Sequence, residues 1–141
     1  MLEGLAARLA LKSLSPQELD EIEAVLDAAD EARGRGDFDA ASACGAQFHR
    51  AIHRHTHNRR LLPILENLED QLQRLRELSN RGSGRLEKSS HQHRQVLEAL
   101  REGDADRAEH AMRSHLESVL DDLGLPGVEH RSQAVGKDNT P

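Results

Sequence analysis

Leu61, Leu65, Leu68, Leu72 and Leu75 recur at alternating intervals of four and three residues, the spacing that draws one apolar seam along a helix packed in a bundle. Related periodicities run through most of the chain. Leu2 to Leu11 is a short Ala- and Leu-rich helix. Ser15-Pro16-Gln17-Glu18 combines a capping box with proline at the first helical position, so a second helix starts there and runs on Leu19, Ile22, Leu26 and Ala29 to about Arg35, with Gly34 and Gly36 ending it. After Gly36-Asp37, a third helix carries Phe38, Ala41, Gly45, Phe48 and Ile52 on one face and ends among His55, Thr56, His57 and Asn58. The leucine seam is the fourth helix; Asn58 is a good cap for it, while Pro63 belongs in a first turn. Gly82-Ser83-Gly84 is the next loop. The fifth helix aligns Leu86, Ser90, His93, Leu97 and Leu100, and Gly103-Asp104 both stops it and caps a sixth that carries Ala105, Ala108, Met112, His115, Val119 and Leu123. Gly124 and Pro126 close that helix. The pattern predicts an all-α fold: an antiparallel bundle of six helices, or seven if the fourth segment divides. Residues 1–125 form the domain, and the polar, aperiodic residues 126–141 are expected to be a disordered tail.

Composition narrows this further. With 141 residues the chain suits one domain. It has two Phe and neither Tyr nor Trp, which favours helices over strands. A net charge of −6 argues against a nucleic-acid surface, which concentrates Lys and Arg against phosphates. The single cysteine, Cys44, excludes an internal disulfide. Without a signal-peptide pattern or a run of roughly 20 apolar residues, the expected location is the cytoplasm.

The nine histidines carry the chemistry. His93 and His115 occupy seam positions where the pattern asks for Leu, Val or Met, and His49 lies beside the apolar stripe of the third helix. Three helices thus direct one imidazole each inward. Any one of them alone reads better as a core histidine bonded to a neighbour. Three together, with few polar partners in the seams, are more cheaply accommodated by a shared divalent ion, since neutral imidazole is a good ligand for zinc or nickel. His53, His55, His57, His91, His110 and His130 read as solvated, with His53 close enough to His49 to be recruited. Arg59, Arg60, Arg74 and Arg76 are the basic residues that could meet an anion; none is assigned.

Phe48-His49, Asn58 at the end of that helix, His93-x-x-Val96-Leu97-x-Ala99-Leu100, Gly103-Asp104-x-x-x-Ala108 and Met112-x-x-His115-Leu116, together with Leu2-Glu3-x-x-Ala6-Ala7, resemble the FCD domain, the effector-binding C-terminal domain of the FadR subfamily of GntR transcription regulators. The resemblance spans about residues 2 to 123. It implies that His49, His93 and His115 ligate a metal and that a small carboxylate effector binds against it in a homodimeric domain. Gly45 departs from the pattern, because family members with the site carry Asp one turn before the first histidine; the expectation is a weakened metal site, the alternative a degenerate one in which His49, His93 and His115 bind an anion directly. The winged helix-turn-helix that precedes such domains has no counterpart, since Met1 falls within the first helix, so no nucleic-acid contact is expected from these residues.

Other readings make different demands. A di-iron enzyme needs paired Glu-x-x-His motifs, which the sequence lacks. A zinc hydrolase needs a general base beside the metal, and Gly45 stands where one carboxylate would be. A structural or heterodimerising helical protein with a degenerate site needs no metal.

Overall fold

A computed structural model describes residues 2–80 and 84–125. Met1, Arg81 to Ser83 and residues 126–141, and with them the expected tail, His130 and most of the Gly82-Ser83-Gly84 loop, lie outside the described residues. Six helices are described: α1 (Leu2–Ala10), α2 (Pro16–Gly34), α3 (Phe38–Arg54), α4 (Leu61–Ser79), α5 (Arg85–Glu102) and α6 (Ala105–Asp122).

The expected start and stop signals operate. Ser15 Oγ accepts from Glu18 N at 3.2 Å, and Glu18 Oε2 accepts from Ser15 N at 2.7 Å. This closes the capping box over two amides that the helix cannot satisfy itself. Asp37 and Asp104 cap α3 and α6 with one side-chain oxygen each, accepting from Ala40 N at 3.1 Å and Arg107 N at 2.9 Å. Gly103 ends α5 at φ +74°, a left-handed conformation that costs side-chain-bearing residues energy.

Tight connections pair α2 with α3 and α5 with α6; α2 also packs on α5, and α1 on α6. The last contact is close because the apolar residues that α1 buries, Ala6, Ala7 and Ala10, are small. A Cβ at Gly4 would stand 2.7 Å from Arg113 Cγ and 3.1 Å from the Glu109 carbonyl oxygen, so this glycine permits the approach. Arg8 of α1 pairs with Asp106 and Glu109 of α6. Leu19, Ile22, Leu26, Phe48, Ile52, Leu65, Val96, Leu100 and Met112 fill the shared core.

Three seams differ from expectation. Phe38 is 59% exposed, because it is the first residue of α3 and lies beside the α2–α3 turn rather than between helices. On α4 the leucine seam splits in two: Leu61, Leu65, Arg76 and Ser79 are buried, while Leu68, Leu72 and Leu75 are half-covered. Ile64 (47% exposed) and Leu78 (50%) share the outer stripe of α4 with Leu68 and Leu75. At the start of α5, Arg85 and Ser89 are buried in place of Leu86 and Ser90. In both helices a polar side chain takes the inward position because it has partners there, and the leucine beside it moves to the edge.

Candidate metal centre

His49 on α3, His93 on α5 and His115 on α6 are all buried and meet at one point. Nε2 of His93 lies 3.2 Å from Nε2 of His49 and 3.2 Å from Nε2 of His115, and the three ligand atoms all lie within 4.8 Å of one another. Tetrahedral ligands at the usual zinc–nitrogen distance stand roughly 3.3 Å apart, so both His93 separations match a shared ion. The hydrogen-bond inventory points the same way. A single N–H on His93 Nε2 can serve only one of the two facing nitrogens, and a buried acceptor left over costs about 1–3 kcal/mol. One cation satisfies all three.

Burial, first of all, lowers the pKa of each of these imidazoles; the neighbouring imidazoles and the cations Arg76 and Arg85 add to the effect in varying combination, and Glu3 opposes it. The rings are therefore held neutral, the form in which they can ligate. Phe48, itself part of the core, stacks on His93.

Behind the three Nε2 atoms lies a layer of polar partners. His49 Nδ1 faces Glu3 Oε2 at 2.6 Å. Arg76 Nη2 donates to the other oxygen, Glu3 Oε1. Burial would push the Glu3 carboxyl up, but His49, His53 and Arg76 outweigh it and hold it well below the usual carboxylate range. On the opposite side, His115 Nδ1 lies 3.0 Å from Gln92 Oε1, which also accepts from Arg85 Nη2 at 3.2 Å. Arg85 is itself anchored through Nη1 to Ser118 at 2.9 Å and Asp122 at 2.7 Å.

Gly45 lies one turn before His49, and a Cβ there would be 3.5 Å from His93 Cε1, an ordinary contact. Room for a side chain exists where the carboxylate is missing. A cavity of about 30 Å³, near the size of one water, is lined there by Gly45, His93, His115, Arg76, Asn80 and Ser89 among others. It shares Arg33, Ser42, Asn80 and Leu86 with an open groove of about 780 Å³ that Phe38 and Glu87 also line.

The three histidines singled out in the sequence are thus brought together. His53 corrects the solvated reading: it is buried, with Nε2 3.9 Å from Glu3 Oε2, because the helix turn that aims His49 inward carries its i+4 neighbour with it. His57, His91 and His110 are exposed as expected, and His55 is half-buried. Arg59, Arg60 and Arg74 are exposed; Arg76 is buried against Glu3. Sequence reasoning missed Glu3, Gln92 and Arg85. Glu3 did leave a trace, since it stands one turn before Ala6 and Ala7 on the stripe that α1 buries. Gln92 and Arg85 left none.

A family model, the FCD domain, matches residues 1–118. The probable D-xylose utilization operon transcriptional repressor of Paenarthrobacter nicotinovorans is 29% identical over 134 residues, covering 95% of this chain and 56% of that protein. The chain thus spans little more than half the length of this curated relative. The solved structure of E. coli McbR/YncC superposes with a TM-score of 0.73 at 24% identity, over 87% of this chain and 62% of that one, a likeness of fold. The chain belongs to the FCD domain family, the effector-binding domain of GntR-type transcription regulators, and not to a family of enzymes.

Proposed function

We propose that this domain is a metal-dependent sensor of a small carboxylate, with a divalent ion, zinc or nickel, held by His49, His93 and His115. The convergence of three buried, neutral imidazoles through their Nε2 atoms is the observation that carries the reading. Three neutral ligands leave the charge of a dication uncompensated and its shell open. With Gly45 contributing no carboxylate, an anionic effector is the natural completion. The cavity beside Gly45 and the groove that adjoins it give the space on that side. Effector binding would shift the packing of α3, α5 and α6, which supply the ligands, and in a complete regulator that shift would reach the DNA-binding heads.

The domain acts as a homodimer in this reading. Leu2 and Leu5 on α1, and Ile64 and Leu78 on α4, are large apolar side chains exposed on the isolated chain, and exposed apolar side chains of this kind suit a self-complementary interface. No helix among the described residues is long and apolar enough to cross a membrane, in keeping with a cytoplasmic regulator.

The test is elemental analysis of the purified protein, with thermal unfolding before and after a strong chelator. About one zinc or nickel ion per chain and a lower melting temperature after chelation are expected, because a ligand bound only to the folded state stabilises it. No metal, and no response to added zinc or nickel, would refute the metal-dependent reading and favour a structural dimer with a degenerate site.

A further inference from the structure

We infer that Glu3 and Gln92 are positioning residues that set the tautomers of His49 and His115, so that both present Nε2 as a lone pair before any metal arrives. The value of this arrangement for ligation rests on the metal reading above, but the tautomers can be measured without it.

The argument runs through hydrogen-bonding capacity. A guanidinium has donors only. Arg85 Nη2 meets the side-chain amide of Gln92 at 3.2 Å, so the atom it meets is the amide oxygen, which fixes the orientation of an otherwise ambiguous group. That same oxygen faces His115 Nδ1 at 3.0 Å. An amide oxygen only accepts, so Nδ1 carries the proton and Nε2 is left bare. Gln92 thus passes the donor-only character of Arg85 to a histidine of another helix.

The second chain is built from different residues to the same end. Arg76 donates to Glu3 Oε1, and the ionised carboxylate, an acceptor at both oxygens, turns Oε2 to His49 Nδ1 at 2.6 Å. The contact is close although not aligned as a hydrogen bond; two lone pairs would repel at that distance, which favours a proton on Nδ1 and the lone pair on Nε2. Two arginines on α4 and α5 therefore determine, each through one acceptor, which nitrogen of two imidazoles on α3 and α6 is free. Outer partners of this kind hold a ligand ring in one orientation and raise its basicity.

The chemistry yields asymmetric variants. Glu3→Gln is nearly isosteric, but its single oxygen must turn to Arg76, which leaves the NH₂ facing His49 Nδ1. The proton then moves to Nε2 and blocks ligation. Gln92→Met removes the acceptor and frees His115 to adopt either tautomer, whereas Gln92→Glu keeps an acceptor facing both Arg85 and His115.

The experiment records long-range ¹H–¹⁵N spectra of the imidazoles in metal-free protein and, in parallel, zinc affinity by chelator competition, for wild type and these three variants, with helicity followed by circular dichroism. The expected spectra show the Nδ1–H form for His49 and His115 in wild type and in Gln92→Glu, a mixture at His115 in Gln92→Met, and the Nε2–H form at His49 in Glu3→Gln. Zinc binding should weaken about 10- to 100-fold in Gln92→Met and Glu3→Gln and be retained in Gln92→Glu. Wild-type tautomers in Gln92→Met and Glu3→Gln, with unchanged zinc affinity, overturn the inference while leaving the metal site intact. Wild type that shows both Nδ1–H tautomers and their predicted loss in the variants, yet binds no zinc, upholds the inference and refutes the metal reading instead.

Discussion

The rings of Phe48 and His93 lie 4.5 Å apart between centroids, with their planes 29° from parallel. Phe48 is fully buried, so one face of a candidate ligand is set by the hydrophobic core itself. Phe48→Ala should lower unfolding free energy by about 3–5 kcal/mol in denaturant titrations of metal-free protein, and the loosened His93 should also bind zinc more weakly. Unchanged stability would show that the ring does not anchor this corner.

Gly45 offers the reverse experiment. Because a Cβ there meets His93 Cε1 at only van der Waals distance, Gly45→Asp should fold normally and place a carboxylate beside the three imidazoles. Zinc affinity is expected to rise by about tenfold or more, roughly 1.4 kcal/mol, in chelator competition. An unchanged affinity would mean that the added carboxylate does not reach the ion.

Acid should destabilise the metal-free domain in a defined window. Burial depresses the pKa of His49, His93 and His115 below 6.5 in the folded state. As pH falls, the unfolded chain therefore takes up protons first. Their contribution is fully present above about pH 6.5 and is lost as pH falls below it toward the depressed folded values. Glu3, also depressed, adds a loss of the same sign at lower pH, beginning near the ordinary carboxylate value. Melting temperatures measured from pH 8 to 5 should be level at first and then drop, with a shallower drop in His93→Leu. A profile flat to pH 5 would contradict the buried neutral imidazoles.

Arg76 and Glu3 form a buried pair, and removing one partner should cost more than removing both. Arg76→Leu leaves a carboxylate without its cation in the interior, a loss of about 3–5 kcal/mol, and the double variant with Glu3→Leu should recover part of it. A double variant no more stable than Arg76→Leu would show that the arginine matters through its other contacts.

Ile64→Lys and Leu78→Lys together should break the proposed homodimer into monomers in sedimentation experiments with little change in helicity. Both side chains are about half exposed in the isolated chain, and substitutions at such positions usually alter fold stability by no more than about 0.5 kcal/mol. Unaltered sedimentation would remove this edge from the interface.

What could be read from the sequence was what depends on near neighbours along the chain. Ser15 and Glu18 cap a helix three residues apart, and Gly103-Asp104 ends one helix and starts the next, so their effect needs no tertiary information. His93 and His115 were legible because each interrupts an apolar stripe, and His49 because it borders one. Glu3 and Arg76 were not, since each is explained by a partner more than seventy residues away. The same dependence accounts for α4. Periodicity alone makes Leu75 an inward residue, whereas the buried carboxylate on α1 that pairs with Arg76 favours the arginine there, with Leu75 half-covered beside it. His53 was misjudged for a related reason, because a helix end was taken to be wet and Glu3 was not known to lie beneath it.

The split seam of α4 has a consequence for how this helix opens. Its first turns are fastened by Leu61 and Leu65, whereas the inward residues of its last turns are Arg76 and Ser79. Apolar burial thus secures one end, and a charged pairing with α1 the other. Amide exchange along α4 should be graded, slow near Leu65 and faster toward Ser79, with the fast end responding to changes at Glu3 while the slow end reports global unfolding.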